Sequence, residues 1–442
     1  MAEPRELSIH QAAALLRRGK LTSEALLRSC LERIAAREPD VKAWARVYAD
    51  EALAEARRLD KKAKRGAWEG PLHGIPLGVK DIFDVQAMET RCGTDAYPVR
   101  VAEFDADSVR CLRDAGAIVL GKTHTTAFAF GDPAPTRNPW NLARTPGGSS
   151  AGSAAAVADR MCLGSLGTQT AGSVLRPASY NGLVGFKPSF GAISTAGVYP
   201  LSWQLDHIGA LTRTVADAHL LWQLMRLEDR QKAKAKKAPT PLTGKLPKRV
   251  WRIRGMFETE AGPESLGALD ATCRALAKKG VKIVERALPD SFRGVLESHH
   301  AILAAEAVVI HEAGFAARRT LFPPKIAELI VEGQKAMAAE YVKALRHRKQ
   351  VIAEMAAILE EVDAAITPST VAPAPTPETT GPRVFQGPWS YVGFPTITVP
   401  VALAEGRLPL GVQWIAGPGM DDKLFRHAAA CETAVPFGEM PV

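Results

Sequence analysis

The sequence is organised around residues 138–191, which read NPWNLARTPGGSSAGSAAAVADRMCLGSLGTQTAGSVLRPASYNGLVGFKPSFG. This stretch holds two clusters rich in Gly and Ser, GGSSAGS at 147–153 and GTQTAGS at 167–173. The residues between them, 154–166, are small and apolar, and they are long enough for about three helical turns. Because Gly and Ala allow close backbone packing, the two loops predict a site where backbone N–H groups and Ser hydroxyls face a substrate.

Three other interpretations of these clusters compete with a catalytic site. Gly/Ser clusters are commonly turns or linkers, but linkers are followed by solvated sequence, and both clusters here lie among apolar residues. The segment GSSAG at 148–152 matches a nucleophile elbow centred on Ser150. That motif needs a buried strand before it, and Arg144, Pro146 and Gly147 argue against one. No Gly-Lys-Ser/Thr follows the glycines, so a phosphate-binding loop is excluded.

Further motifs lie on both sides of the paired clusters. HGIPLGVKD occupies residues 73–81, and GFPTITVP occupies residues 393–400. Together with the clusters, these motifs make the chain resemble the amidase signature family over essentially its whole length. The resemblance implies one large α/β domain, residues 1–442, with a mixed central β-sheet covered by α-helices. Within this domain, the core sheet is expected at 60–215 and 362–442. The helix-rich region that forms the substrate pocket is expected at 250–361.

The resemblance also implies roles for individual residues. Ser173 is the expected nucleophile, Ser149 is a bridging Ser that follows a cis peptide bond, and Lys80 is the expected base. The family uses no metal or cofactor for this chemistry, so none is expected here. The oxyanion hole is expected from backbone N–H groups of the second cluster, those of Thr170, Ala171, Gly172 and Ser173.

The residue types fit these roles. A Ser hydroxyl needs a base to become an effective nucleophile, and a lysine serves only when burial or a nearby positive charge lowers its pKa. Lys80 follows the apolar run 75–79, which predicts a buried strand. Asp81 would favour the charged form of the lysine unless it points away, as adjacent residues of a strand do.

Two positions depart from the family pattern. Gln169 stands where Asp is usual, and Leu175 stands where Arg is common, with Arg176 following it. These departures bear on positioning and substrate preference more than on the reaction itself. No arginine in the sequence stands out as a clamp for a substrate carboxylate. The candidates for pocket residues are four aromatic side chains: Trp389, Tyr391, Phe315 and Tyr341.

The rest of the chain alternates between helical and strand patterns. Amphipathic periodicity predicts two helices within 8–37, which Ser8 and Thr22 can cap. A helix at 107–115 and a short apolar strand at 117–123 continue the alternation that is typical of an α/β sheet. Further strands are predicted at 249–253, 281–284, 396–401 and 410–415.

Composition and charge limit the functional classes. The chain has 442 residues, of which 46% are hydrophobic and 23% are charged, and its net charge is +9. Eight of the positive charges fall within 230–249, which contains no acid and three prolines. We interpret this segment as a basic, exposed linker. Nucleic-acid binding is not expected of it, because no nucleic-acid-binding motif accompanies the charges.

Cysteine spacing and hydropathy point to a cytoplasmic enzyme. The six cysteines are dispersed, and neither CxxC nor HExxH occurs, so a zinc site and a disulfide framework are not expected. The N-terminus shows no signal pattern, and no apolar run reaches the roughly 18 residues of a membrane span.

The sequence therefore predicts an amide hydrolase that cleaves a small carboxylic amide through an acyl-Ser173 intermediate. One alternative is an amidotransferase of the A type, which releases ammonia from glutamine in a tRNA-dependent complex. A second alternative is a catalytically inactive binding protein. The expected partner is a small-molecule amide, and the resemblance suggests a homodimer while leaving the oligomeric state open.

Overall fold

The computed structural model describes residues 3–227 and 239–441. The strands of the described chain are β1 (Trp44–Val47), β2 (Pro76–Lys80), β3 (Glu89–Thr90), β4 (Arg100–Val101), β5 (Ile118–Thr123), β6 (Gly164–Gln169), β7 (Val184–Lys187), β8 (His207–Thr212), β9 (Arg249–Arg254), β10 (Lys282–Ala287), β11 (Ala364–Pro368), β12 (Thr396–Leu403) and β13 (Pro409–Ile415). The helices are α1 (Ile9–Arg17), α2 (Ser23–Val41), α3 (Ala49–Ala63), α4 (Asp107–Asp114), α5 (Ala151–Ala158), α6 (Leu175–Tyr180), α7 (Val215–Met225), α8 (Met256–Thr259), α9 (Pro263–Lys278), α10 (Val295–Arg318), α11 (Pro324–Gly333), α12 (Ala338–Glu360), α13 (Gly387–Val392) and α14 (Asp421–Ala434).

Eleven of these strands form one mixed sheet, in the order β1-β5-β2-β6-β8-β7-β12-β13-β11-β9-β10. Strand β2 is parallel to both of its neighbours, β5 and β6. From β6 to β13, each strand of the sheet is antiparallel to the next, in the order β6, β8, β7, β12, β13. Every residue of β2, β5, β6, β7, β8 and β13 is buried, as expected of strands covered on both faces. The predicted single α/β domain with a mixed sheet covered by helices is confirmed.

Local sequence signals set the helix starts. Ser8 accepts a hydrogen bond from Gln11 N at 3.1 Å at the start of α1, and the Gln11 side chain accepts one from Ser8 N at 2.9 Å. Thr22 accepts from Ala25 N at 3.1 Å at the start of α2. Both predicted caps are therefore present.

The structure corrects three expectations about element placement. The apolar stretch 154–166 holds only the end of a helix, because α5 ends at Ala158 and β6 begins at Gly164. Strand β1 and the pair β9–β10 join the central sheet although they lie outside the expected core ranges. Edge strands need a partner on only one side, so short polar segments such as β10 can extend a sheet.

The basic segment 230–249 falls partly outside the described residues, because 228–238 are not described. The described part, 239–249, is largely exposed, but it is attached to the domain. Lys245 N donates to Arg426 O at 3.0 Å, and His427 Nδ1 donates to Lys245 O at 2.8 Å, which joins this part to α14.

Helices α10, α11 and α12 pack mainly on one another and on α13. The helical stretch Asp290–Leu321 is long and apolar enough to cross a membrane by length and composition. However, the buried face of α10 includes His299, Glu306 and His311, and such polar groups are uncommon in membrane spans. The helix therefore has the length and composition of a membrane span but carries polar residues on its buried face.

Candidate active site

Lys80 is the last residue of β2 and lies inside the sheet. Its side chain is fully buried, and Nζ donates to Ser149 Oγ and to Thr168 Oγ1, each at 2.7 Å. Burial lowers the pKa of Lys80 to about 7, although the charge of Asp206 opposes this shift. An amine with this pKa is uncharged in about half of the molecules at neutral pH, so it can accept a proton from a neighbouring hydroxyl.

Asp81, the next residue, does not neutralise Lys80. Its carboxylate points to the other face of the strand and forms an ion pair with the buried Lys122 at 2.9 Å. Arg91 N also donates to Asp81 Oδ2 at 3.2 Å. The alternation of side chains along the strand therefore separates the two charges, as the sequence predicted.

Ser149 follows a cis peptide bond, Gly148–Ser149, immediately before α5. The carbonyl oxygen of Gly148 accepts a hydrogen bond from Arg176 Nη2 at 2.7 Å, and Ser149 O accepts from Thr126 N at 3.2 Å. Position 148 has no room for a side chain, because a Cβ there would lie 2.8 Å from Thr380 Cγ2. The loop is thus held from both sides with Ser149 Oγ facing Lys80.

Ser173 lies at the end of the second loop, before α6. Ser150 N donates to Ser173 O at 3.3 Å, which joins the two Gly/Ser loops, and Ser149 and Ser173 line one cavity. Across residues 3–227 and 239–441, no protein acceptor takes a hydrogen bond from the four backbone N–H groups of this loop. These N–H groups belong to Thr170, Ala171, Gly172 and Ser173. Free donors next to a hydroxyl have the arrangement that stabilises a developing oxyanion.

Gln169 supports this loop from beneath. Its Oε1 accepts from Val174 N and from Leu175 N, both at 3.0 Å, and its Nε2 donates to Ser390 Oγ at 3.0 Å. Gln169 is fully buried, and it supplies a neutral acceptor at the place where the family resemblance implies an acidic residue. Leu175 is fully buried as well, and the arginine that reaches the site is its neighbour, Arg176.

We expect Gln169→Ala to lower both stability and turnover. Two buried N–H groups would lose their acceptor, which costs about 2 kcal/mol of the free energy of unfolding. The loop would also shift, and a displacement of this kind lowers kcat by about 10²-fold. Gln169→Glu retains the acceptor and is the matched control. Urea unfolding and ammonia release measure the two effects, and equal behaviour of the Ala and Glu variants would contradict this role.

Two residues remote in sequence hold Thr170. His299 Nε2 donates to Thr170 O at 2.9 Å, and Thr170 Oγ1 donates to Asp206 Oδ1 at 2.5 Å. Burial lowers the pKa of His299 to about 3, so this imidazole is neutral. Asp206 also accepts from Leu201 N at 2.8 Å. The sequence predicted neither contact, because nothing in the local pattern around His299 or Asp206 marks it.

The cavity beside Ser173 has a volume of about 130 Å³. Arg176 and Arg383 contribute to its wall, together with Phe130, Leu303 and Thr380. The four aromatic candidates from the sequence are not among the described residues that line it. Trp389 and Tyr391 are fully buried, Phe315 packs against Phe322, and Tyr341 Oη donates to Glu306 Oε1 at 2.7 Å. Their apolar character reflects packing in the core, and the arginines are the residues that the sequence pattern missed.

In the described part of the chain, no group of three or more His, Cys, Asp or Glu is placed to hold a metal ion. The reactive groups brought together are an amine with lowered pKa, two hydroxyls and a row of free N–H groups. This set can move a proton from one hydroxyl and stabilise an oxyanion, which are the requirements of acyl transfer.

Comparison with known proteins agrees with this geometry. The profile of the family described as Amidase matches residues 25–425. The A subunit of glutamyl-tRNA(Gln) amidotransferase from Myxococcus xanthus (strain DK1622) is 32% identical, with 98% of each chain covered. A crystal structure described as an amidase superposes with a TM-score of 0.88 at 35% identity, covering 97% of this chain and 100% of that one. The native peptide amidase from Stenotrophomonas maltophilia superposes with a TM-score of 0.84 at 27% identity, covering 99% and 98%. The protein therefore belongs to the amidase family.

Proposed function

We propose that this protein hydrolyses a small carboxylic amide to an acid and ammonia or an amine, through an acyl intermediate on Ser173. The observation that carries the proposal is the 2.7 Å contact between Lys80 Nζ and Ser149 Oγ. The amine in this contact is buried and has a pKa of about 7. Family membership supports an enzyme that acts on amides, and the three residues supply a base, a bridge and a nucleophile.

In the proposed reaction, Ser149 passes its proton to neutral Lys80 and takes the proton of Ser173, whose oxygen attacks the amide carbon. The free N–H groups of 170–173 stabilise the negative charge on the carbonyl oxygen. The proton then returns through Ser149 to the nitrogen, because an amine leaves an amide poorly unless it is protonated. Water hydrolyses the acyl-Ser173 ester along the same proton path and restores the enzyme.

Ser149→Ala tests the bridging step. Without this hydroxyl, the proton of Ser173 has no short path to Lys80, so we expect kcat to fall by about 10³-fold. Ammonia release from a panel of small amides measures the effect. Ser153→Ala, which removes a nearby buried hydroxyl that contacts Thr123 instead, is the control and should retain activity. Full activity of Ser149→Ala would remove Ser149 from the proton path.

The curated relatives favour a second candidate function. The relatives from Myxococcus xanthus and Geobacter metallireducens are both named as the A subunit of glutamyl-tRNA(Gln) amidotransferase, and each is 32% identical over 98% of both chains. Under this second proposal, the chain releases ammonia from glutamine within a complex with a tRNA-acting partner. Hydrolysis of simple amides by the purified chain alone supports the first function. Ammonia release only from glutamine, and only with a co-purified partner protein, supports the second.

If the chain is an inactive binding protein, a serine-directed phosphonate should leave Ser173 unlabelled, whereas both enzyme functions predict labelling.

We also propose a cytoplasmic location, which agrees with the free thiols of buried cysteines such as Cys30, Cys162 and Cys431. The homodimer stays a prediction, and light scattering of the purified protein tests it.

A further inference from the structure

The cavity beside Ser173 has a positive wall. Arg176 and Arg383 both line it, and none of the described residues that line it is Asp or Glu. The remaining wall is apolar or carries hydroxyls, as Phe130 and Thr380 do. Two guanidinium groups without an acid in the lining give the wall of this small cavity a positive charge, which favours an anion.

Arg176 is buried, with only 6% of its surface exposed. Its Nη2 donates to Gly148 O at 2.7 Å and to Thr380 Oγ1 at 3.2 Å, and both acceptors are neutral. Among the residues that the structure describes, no carboxylate forms a salt bridge with it. Burial lowers the pKa of Arg176 to about 10, so the group stays charged at neutral pH. A Cβ at Gly172 would lie 3.5 Å from Nη1, which places this charge beside the loop of free N–H groups.

Arg383 approaches the same cavity from the segment before α13. Its Nη2 donates to His300 Nδ1 at 3.2 Å. The nearest acid in this chain of contacts, Glu332, accepts from His300 Nε2 at 2.9 Å and not from the arginine. Within 3–227 and 239–441, Arg383 forms no salt bridge. Both arginines of the wall are therefore charged groups whose protein partners are neutral.

We propose that the substrate is an amide whose acyl part carries a carboxylate, which Arg176 and Arg383 bind while the amide carbon faces Ser173. Guanidinium groups match the planar, two-oxygen geometry of a carboxylate. The inference rests on the proposed hydrolysis at Ser173 and names its substrate class.

The size and charge of the cavity narrow this class. Its volume of about 130 Å³ is close to the roughly 150 Å³ that admits benzene, so the acyl part is short. An α-ammonium group would meet the two arginines and no acid among the described lining residues. Monoamides of short dicarboxylic acids therefore fit better than glutamine and other amino acid amides.

The first test compares succinamate with methyl succinamate, in which the carboxylate is masked as a neutral ester. Malonamate and butyramide extend the series in length and in charge. We expect kcat/KM for ammonia release to be about 10²-fold or more higher for succinamate than for its ester, because a site built for a charged partner rejects the analogue that lacks it. Glutamine should be a poorer substrate than succinamate.

The second test uses Arg383→Gln. We expect this variant to lose about 10²-fold in kcat/KM on succinamate, mainly through KM, so that the preference for succinamate over methyl succinamate disappears. Arg407→Gln removes the same charge at the surface, where Arg407 pairs with Glu439. This control variant should change kcat/KM on neither substrate. Calorimetric binding of succinate to Ser173→Ala, lost when Arg383→Gln is added, gives a readout that does not depend on turnover.

The outcomes separate the two proposals. Equal rates on acidic and neutral amides, unchanged in Arg383→Gln, would overturn the carboxylate site and leave amide hydrolysis intact. A preference for glutamine over succinamate would overturn the assignment of short dicarboxylic monoamides as the substrate class. If no amide is hydrolysed and a phosphonate does not label Ser173, the proposed function itself fails, and the substrate class fails with it.

Discussion

Ser173→Ala is expected to abolish amide hydrolysis, with a loss of about 10⁶-fold in kcat, the loss seen when a serine protease loses its nucleophile. The variant keeps the cavity and the free N–H groups of 170–173, so substrate binding should persist. The measurement is ammonia release at saturating substrate, combined with phosphonate labelling followed by mass spectrometry. Wild-type protein should carry one adduct on Ser173, and the variant should carry none.

Ser150→Ala is the matched control for this experiment. Ser150 is the centre of the formal nucleophile-elbow match, but it is fully buried, and its Oγ contacts Thr168 O at 3.4 Å. We expect this variant to retain turnover and labelling. Loss of labelling in Ser150→Ala, together with an active Ser173→Ala, would show that the nucleophile lies in the first Gly/Ser loop and not in the second.

Lys80→Met is expected to lower kcat/KM by about 10⁴-fold at neutral pH, the upper range for the loss of a general base. The pH dependence of kcat/KM in the wild-type enzyme should also reflect the titration of Lys80. Only the uncharged amine accepts a proton, and the pKa of Lys80 is about 7. The value of kcat/KM should therefore rise with pH through about 7 and level off above it. Below this pH it should fall tenfold for each unit.

Lys187 provides the control for the pH profile. It is also fully buried with a pKa lowered by burial to about 7, but its Nζ donates to the carbonyl oxygens of Phe394 and Pro188, at 2.5 Å and 3.0 Å. We expect the rise near pH 7 to persist in Lys187→Met and to vanish in Lys80→Met. A profile that changes only with Lys187 would falsify the assignment of Lys80 as the base.

The roles proposed for Lys80, Ser149 and Ser173 could be predicted because each lies within a short motif that carries the resemblance to the amidase signature family. Neighbouring residues of such a motif determine its backbone path, so the apolar run before Lys80 predicts a buried strand without knowledge of the rest of the fold. The length of α5 was less predictable. An apolar run of small residues suits a helix and a buried strand equally well, and the pairing of β6 with β2 and β8 decided between them.

The sequence by itself therefore indicated the fold class and the two Gly/Ser loops, because hydrophobic periodicity and local composition are properties of short segments. The roles proposed for Lys80, Ser149 and Ser173 were implied by the resemblance to the amidase signature family. Tertiary structure alone decided what surrounds them. His299 contacts Thr170 across 129 residues of sequence, and Arg176 meets Thr380 across 204. Such contacts depend on how distant segments pack against the sheet. For this reason the charge of the pocket, set by Arg176 and Arg383, could be read only from the folded chain.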